Sequence, residues 1–159
     1  MKHTLPFLMA VALFTVGNAQ AASIVLTSNI TFASAGDSYL TFEVPGKQLQ
    51  AGNCSLHGYI GDAAHSRAGG NSVTLPAGSI HSVWKKVENS YFYDSDGGGR
   101  SFQTVISATI SGFRNSYVTA ICTVPAEQGL LPFMWHPVTP VPTQADLQAM
   151  FANYFILRD

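Results

Sequence analysis

The chain has 159 residues, of which only 11% are charged, and a formal net charge of −1. A near-neutral chain without a basic stripe is a poor match for nucleic acid, so that class of partner is excluded. Sparse charge with plentiful Ser and Thr suits a β-rich exported protein better than a helical cytosolic one.

Residues 1–21, MKHTLPFLMAVALFTVGNAQA, combine a basic start at Lys2, an apolar run from Leu5 to Val16 and a small-x-small ending at Ala19-Gln20-Ala21. This is the pattern of a cleaved secretory signal peptide, with an apolar run too short to remain as an anchor. The predicted mature chain starts at Ala22, has 138 residues and carries seven basic against nine acidic side chains. No later apolar run reaches the length of a spanning helix, so no membrane span is expected. The expected localisation is secreted or periplasmic.

Strand signals dominate residues 22–124, which are read as one β-domain. Ser23 to Phe32 alternates, with Ile24, Leu26, Ile30 and Phe32 on one side. Tyr39 to Val44 places Leu40, Phe42 and Val44 together, and Pro45-Gly46 reads as a turn. From Gly52 to Ile60, Cys54, Leu56 and Ile60 share a face, opposite Ser55, His57 and Tyr59. Ser72 to Leu75 is a short candidate, and Ile80 to Tyr93 a longer, less regular one. Ser101 to Arg114 points Phe102, Ile106, Ala108 and Ile110 inward, with Gln103, Ser107, Thr109 and Ser111 outward. Tyr117 to Val124 aligns Val118, Ala120, Cys122 and Val124. About seven short antiparallel strands at this spacing predict an all-β fold, a β-sandwich or small barrel.

Cys54 and Cys122 are the only cysteines. An even count in an exported chain predicts a disulfide between them. Both fall on apolar strand faces, so the bridge is expected to link two packed layers.

Residues 125–159 change character but are read as part of the same domain. Pro125, Pro132, Pro137, Pro140 and Pro142 argue against a central strand or a helix. Within this stretch lies the apolar run GLLPFMWHP. Thr143-Gln-Ala-Asp146 then opens a helix over about 144–153 with a capping-box pattern, Asp standing where Glu or Gln is usual. Leu147, Met150, Phe151, Tyr154 and Phe155 follow at helical spacing. Both apolar surfaces, the proline-rich run and the helix, are expected to dock on one end or edge of the strands; the rival reading is a partner-binding strip left exposed in the free protein.

The most suggestive chemistry is YFYDSDGGGRSF, residues 91–102. Asp94 and Asp96 match two ligand positions of a calcium loop, but Gly98 and Val105 stand where a third ligand and the bidentate Glu belong. A hairpin tip is the expected reading, with Asp94 and Asp96 as weak calcium candidates. The glycines lack the Lys-Ser/Thr of a phosphate loop. His57, His65, His81 and His136 show no metal spacing, and no Gly-x-Ser-x-Gly elbow exists. No catalytic residue, metal or cofactor is therefore predicted. Tyr59, Trp84, Tyr91 and Tyr93 are the candidate ligand contacts, since exposed aromatic rings stack on sugars or fill pockets of a protein partner.

The cysteines do not carry an immunoglobulin pattern, because Trp84 is far beyond Cys54 and residue 120 is Ala. The expected function is a non-enzymatic, disulfide-stapled module binding a protein or glycan partner. A hydrolase site assembled from distant residues such as His57, His65 or His81 is the rival. A structural subunit of a surface assembly is the third reading.

Overall fold

The computed structural model describes residues 21–34, 39–61, 72–97 and 99–159. Residues 1–20, most of the signal-like segment, residues 35–38, residues 62–71 with His65, and Gly98 lie outside the described residues. Among the described residues the fold is all-β with one short helix. Its strands are β1 (Ser23–Leu26), β2 (Ile30–Ser34), β3 (Leu40–Leu49), β4 (Gly52–Ile60), β5 (Ser72–Leu75), β6 (Ile80–Tyr93), β7 (Arg100–Thr109), β8 (Tyr117–Gln128), β9 (Trp135–Pro137) and β10 (Phe155–Arg158). Helix α1 (Gln144–Met150) precedes β10.

All pairings are antiparallel, in the order β10-β1-β6-β7-β8-β4-β3-β2-β5, with β9 added to β8. The described residues thus form one antiparallel sheet of ten strands, more than the about seven expected. The extra strands arise where alternation is unbroken but the partner changes. Residues 23–32 split at 27–29: β1 pairs with β6 and β10, whereas β2 pairs with β3 and β5. Two corners meet there, with Ala77 N–H donating to Asn29 Oδ1 at 2.9 Å and Gly78 N–H to Leu26 O at 2.8 Å.

The sheet bends over its own inner face. Ile24, Leu26, Ile30, Phe32, Leu40, Leu56, Ile60, Ile106, Ala108 and Val118 form one buried cluster, so strands distant in the order share a core. Each large aliphatic or Phe side chain buried there contributes about 1.5–3 kcal/mol. Glycines permit the tight places. A Cβ on Gly58 of β4 would lie 2.5 Å from the Phe32 ring, which rests on the bare backbone. A Cβ on Gly46 would meet Cys54 O at 1.4 Å. Gly46-Lys47 is accordingly a bulge inside β3, and Pro45-Gly46 is not the turn its composition suggests.

Cys54 and Cys122 form the disulfide, 68 residues apart in sequence. They face each other across the adjacent strands β4 and β8, so the bridge staples neighbours within one sheet and does not join two layers. The order β8-β4 brings together strands far apart in sequence, which no local pattern reveals.

The C-terminal segment divides. Thr143 caps α1: its Oγ1 accepts from Asp146 N–H at 3.1 Å, and its own N–H donates to Asp146 Oδ2 at 2.9 Å. Leu147, Phe151 and Phe155 are buried in the core, with Met150 and Tyr154 packed against it. Tyr154 reaches Phe42 of β3, ring centres 6.1 Å apart. The helix is docked, as its apolar stripe requires. The proline-rich run is not: Leu130, Leu131, Phe133 and Met134 are exposed. Nor do its prolines bar strand structure. β8 continues through Pro125, whose carbonyl accepts from Val138 N–H at 3.0 Å, and Pro137 lies on the edge strand β9, where a missing donor is tolerated.

Candidate functional site

The outer face of the central strands carries a shallow depression of about 290 Å³. Its floor is Val105, Ser107, Thr119 and Ile121, and its walls are His57, Tyr117, Trp84, Lys85 and Gln103. Alternation places these residues opposite the core: Ser107 pairs with Thr119 and Val105 with Ile121, while Ile106 and Ala120 point inward. Ser107 is nevertheless only 2% exposed, contrary to its expected solvent position. Its Oγ and Thr119 Oγ1 share a hydrogen bond of 2.8 Å at the floor of the depression, so the two buried hydroxyls satisfy one another.

Trp84 reaches the wall through a defect in the ladder. Val83 pairs with Ala108 and Lys85 with Ser107, leaving Trp84 as the extra residue of a β-bulge. Its side chain remains 61% exposed. A second bulge at Glu88-Asn89, with Asn89 at φ 48°, serves the helix instead. Glu88 Oε2 accepts the Gln144 N–H at 2.7 Å.

Rings continue the wall across β4. Tyr39 stacks on Tyr59 at 5.5 Å, Tyr59 on Tyr117 at 5.8 Å, and His57 meets Tyr117 edge-on at 6.2 Å. Burial lowers the His57 pKa, against a smaller opposite pull from Glu43, its partner across the β3–β4 ladder. Of the sequence candidates, Trp84 and Tyr59 therefore belong to this one face. Tyr91 and Tyr93 do not. They lie toward the β6–β7 tip, where Tyr91 meets Phe102 at 5.6 Å and Arg100 covers Tyr93 at 5.1 Å and Trp135 at 4.0 Å. The sequence reading missed Tyr39, Tyr117 and Arg100. Their roles depend on register between strands, although the outward phase of Tyr59 and His57 was a signal for their own share.

Asp94 is occupied by its own turn, Oδ1 accepting Asp96 N–H at 3.0 Å. Among the described residues no three His, Cys, Asp or Glu side chains converge as a metal site. His81 contacts a serine, but in the wrong sense for catalysis. Ser111 N–H donates to His81 Nδ1 at 3.3 Å, which leaves the proton on Nε2. That N–H then donates to Ser79 Oγ at 3.0 Å, and Ser79 donates to Pro76 O at 2.8 Å. An imidazole protonated at Nε2 takes no proton from the serine.

Among the described residues no helix is long and apolar enough to cross a membrane. Comparison with family models, curated proteins and solved structures finds no match.

Proposed function

We propose that the protein is a non-enzymatic binding module of the cell envelope or exterior, and that a glycan is its ligand on the outer-face depression. The observation that carries this reading is the bulge that sets Trp84, 61% exposed, over that depression. An open indole face beside hydroxyl, amide, imidazole and ammonium groups is suited to a pyranose ring, whose C–H face stacks while its hydroxyls find donors and acceptors. The signal-like N-terminus and the disulfide support export.

A glycan array, followed by calorimetry on the sugars retained, tests this. Trp84→Ala is expected to weaken binding about tenfold or more, the worth of an aromatic anchor. An array with no retained sugar, or binding indifferent to Trp84→Ala, sinks the glycan reading. Capture of an envelope protein that depends on Trp84 would replace it with a protein ligand.

The surface-assembly reading has a specific observation in view: beyond Val83, whose N–H donates to Ala22 O at 2.8 Å, β6 pairs among the described residues only with β7. Two bulges and the charges of Lys85, Lys86 and Glu88 break that edge, the usual protection against edge-to-edge pairing. The binding reading is preferred for that reason.

A further inference from the structure

A second surface is independent of the outer-face depression. We propose that the finger made by the end of β8, β9 and the turn 129–134 inserts its tip into the interfacial layer of a lipid bilayer.

The tip is apolar and convex. Leu130, Leu131, Phe133 and Met134 are 104%, 47%, 77% and 52% exposed, and no residue from Gln128 to Trp135 is charged. The backbone there meets much of its own polar demand, as a segment entering lipid must. Gly129 N–H donates to Met134 O at 2.7 Å, and Met134 N–H to Leu131 O at 2.9 Å. Pro132 has no N–H, and its carbonyl accepts from Gln128 Nε2 at 3.0 Å.

The base of the finger is graded as an interface requires. Trp135 follows the tip directly, with the Arg100 guanidinium 4.0 Å from its ring centre and Tyr93 on the other contact of that guanidinium. Amphipathic rings and a snorkelling cation are the side chains that settle at headgroup depth. Below them, Glu127 faces His136 at 3.7 Å. A protruding tip whose side chains splay outward offers a protein partner no groove, whereas a bilayer receives a convex wedge without shape complementarity. The finger and neighbouring hairpin carry Glu127, Asp94, Asp96 and a single Arg. Attraction to anionic headgroups is therefore not the driving force, and zwitterionic lipid is the partner specified.

The test uses the protein recovered from expressing cells, its N-terminus determined, with Trp84→Phe as background so that Trp135 is the one fluorophore of its type. Phosphatidylcholine vesicles are expected to co-sediment the protein, shift Trp135 emission to the blue and shield it from aqueous quencher, all unchanged in high salt. Leu130→Ser with Phe133→Ser is expected to weaken partition at least about tenfold, since both side chains leave the interface. The proposal is overturned if the wild type stays in the supernatant, if the double variant binds equally, or if Trp135 remains as accessible to quencher as in free protein. Tip-dependent self-association without vesicle binding would overturn it in favour of a protein contact.

Discussion

Two apolar stretches of the C-terminal segment, 130–134 and 147–155, lie in the same 35 residues, yet they end in opposite environments. Leu147, Phe151 and Phe155 are buried to within 3% of complete, while Leu130 and Phe133 stand in solvent. The difference lies in geometry, not hydropathy. The helical stretch repeats its large side chains at three- and four-residue spacing, so a single stripe faces the core. The finger carries its apolar residues in a tight turn, where consecutive side chains diverge and no common face exists. Apolar content sets how much burial is available; periodicity decides whether it is realised.

The largest expected effect separates the two halves directly. Removing residues 143–159 takes away three buried side chains, each worth about 2–5 kcal/mol on truncation, and strips β10 from β1. Together these losses are as large as the whole stability of a typical domain, so the product is expected to aggregate or fail to fold. Replacing 130–134 by a Gly-Ser turn is expected to leave thermal unfolding nearly unchanged. A soluble, cooperatively melting product of the first deletion would show that the helix is not part of the core.

Next in size is the disulfide. Cys54 and Cys122 lie in the cluster on which the helix rests. Closing a 68-residue separation restricts the unfolded chain by about 4 kcal/mol in the entropy model, and Cys54→Ser is expected to cost that order of stability. Denaturant midpoints of oxidised wild type and Cys54→Ser compare the two. Equal midpoints would remove the bridge from the account.

Much of this core was legible in sequence, because a period of two declares a face. Ile24, Leu26, Ile30, Phe32, Cys54, Leu56, Ile60, Ile106, Ala108, Val118, Ala120 and Cys122 are all buried as their alternation requires. The helix and its Thr143–Asp146 cap were legible too, since capping is local chemistry. Strand order was not, and so the bridge was assigned to two layers where β4 and β8 are neighbours. Bulges at Gly46, Trp84 and Glu88-Asn89 were equally hidden, because an extra residue is defined only against its partner strand. The depression suffered most from this: Ser107 and Thr119 are floor residues only once β7, β8 and the Trp84 bulge are assembled.

Acid is expected to loosen the docked side of the molecule. His81 sits on β6 opposite Ile24 of β1, which in turn carries β10. Burial holds its pKa below the ordinary 6.5, so between the native value and 6.5 the unfolded chain binds more protons. Stability is therefore full above 6.5 and falls as pH drops through that window, with His57 acting in the same direction. Melting temperatures taken from neutral pH downward are expected to decline, and His81→Gln to flatten the decline from a lower starting point. A parallel decline in that variant would assign the acid sensitivity elsewhere.

The cap is expected to be a smaller term. Thr143→Ala removes the acceptor for Asp146 N–H and is expected to cost about 1 kcal/mol, read from denaturant midpoints. Hydrogen bonds from Thr143 also hold the Asp146 pKa below its ordinary 3.8. The native charge preference thus favours folding above 3.8 and is lost as pH falls through the lowered value. The Thr143 backbone N–H, the larger cause, survives in Thr143→Ala and only the hydroxyl's hydrogen bond is lost, so the substitution is expected to shrink that strongly acidic part of the stability profile without erasing it, and a profile identical to wild type below pH 4 would show that the hydroxyl does not hold Asp146 in solution.

The smallest expected effect is the sharpest test of the comparison. Leu130→Ser with Phe133→Ser changes two of the largest apolar side chains in the finger, yet both already face water, at 104% and 77% exposure. Folding moves almost none of their surface out of solvent, so the transfer term that penalises Leu147→Ser is absent here. The variant is expected to unfold within about 0.5 kcal/mol of wild type, the usual range for surface exchanges. The same pair of substitutions at Leu147 and Phe151 is expected to abolish folding. A finger variant destabilised by more than about 2 kcal/mol would mean that Leu130 and Phe133 bury themselves in the folded protein in solution. The finger would then be a second docked element, and its exposure would no longer distinguish it from the helix.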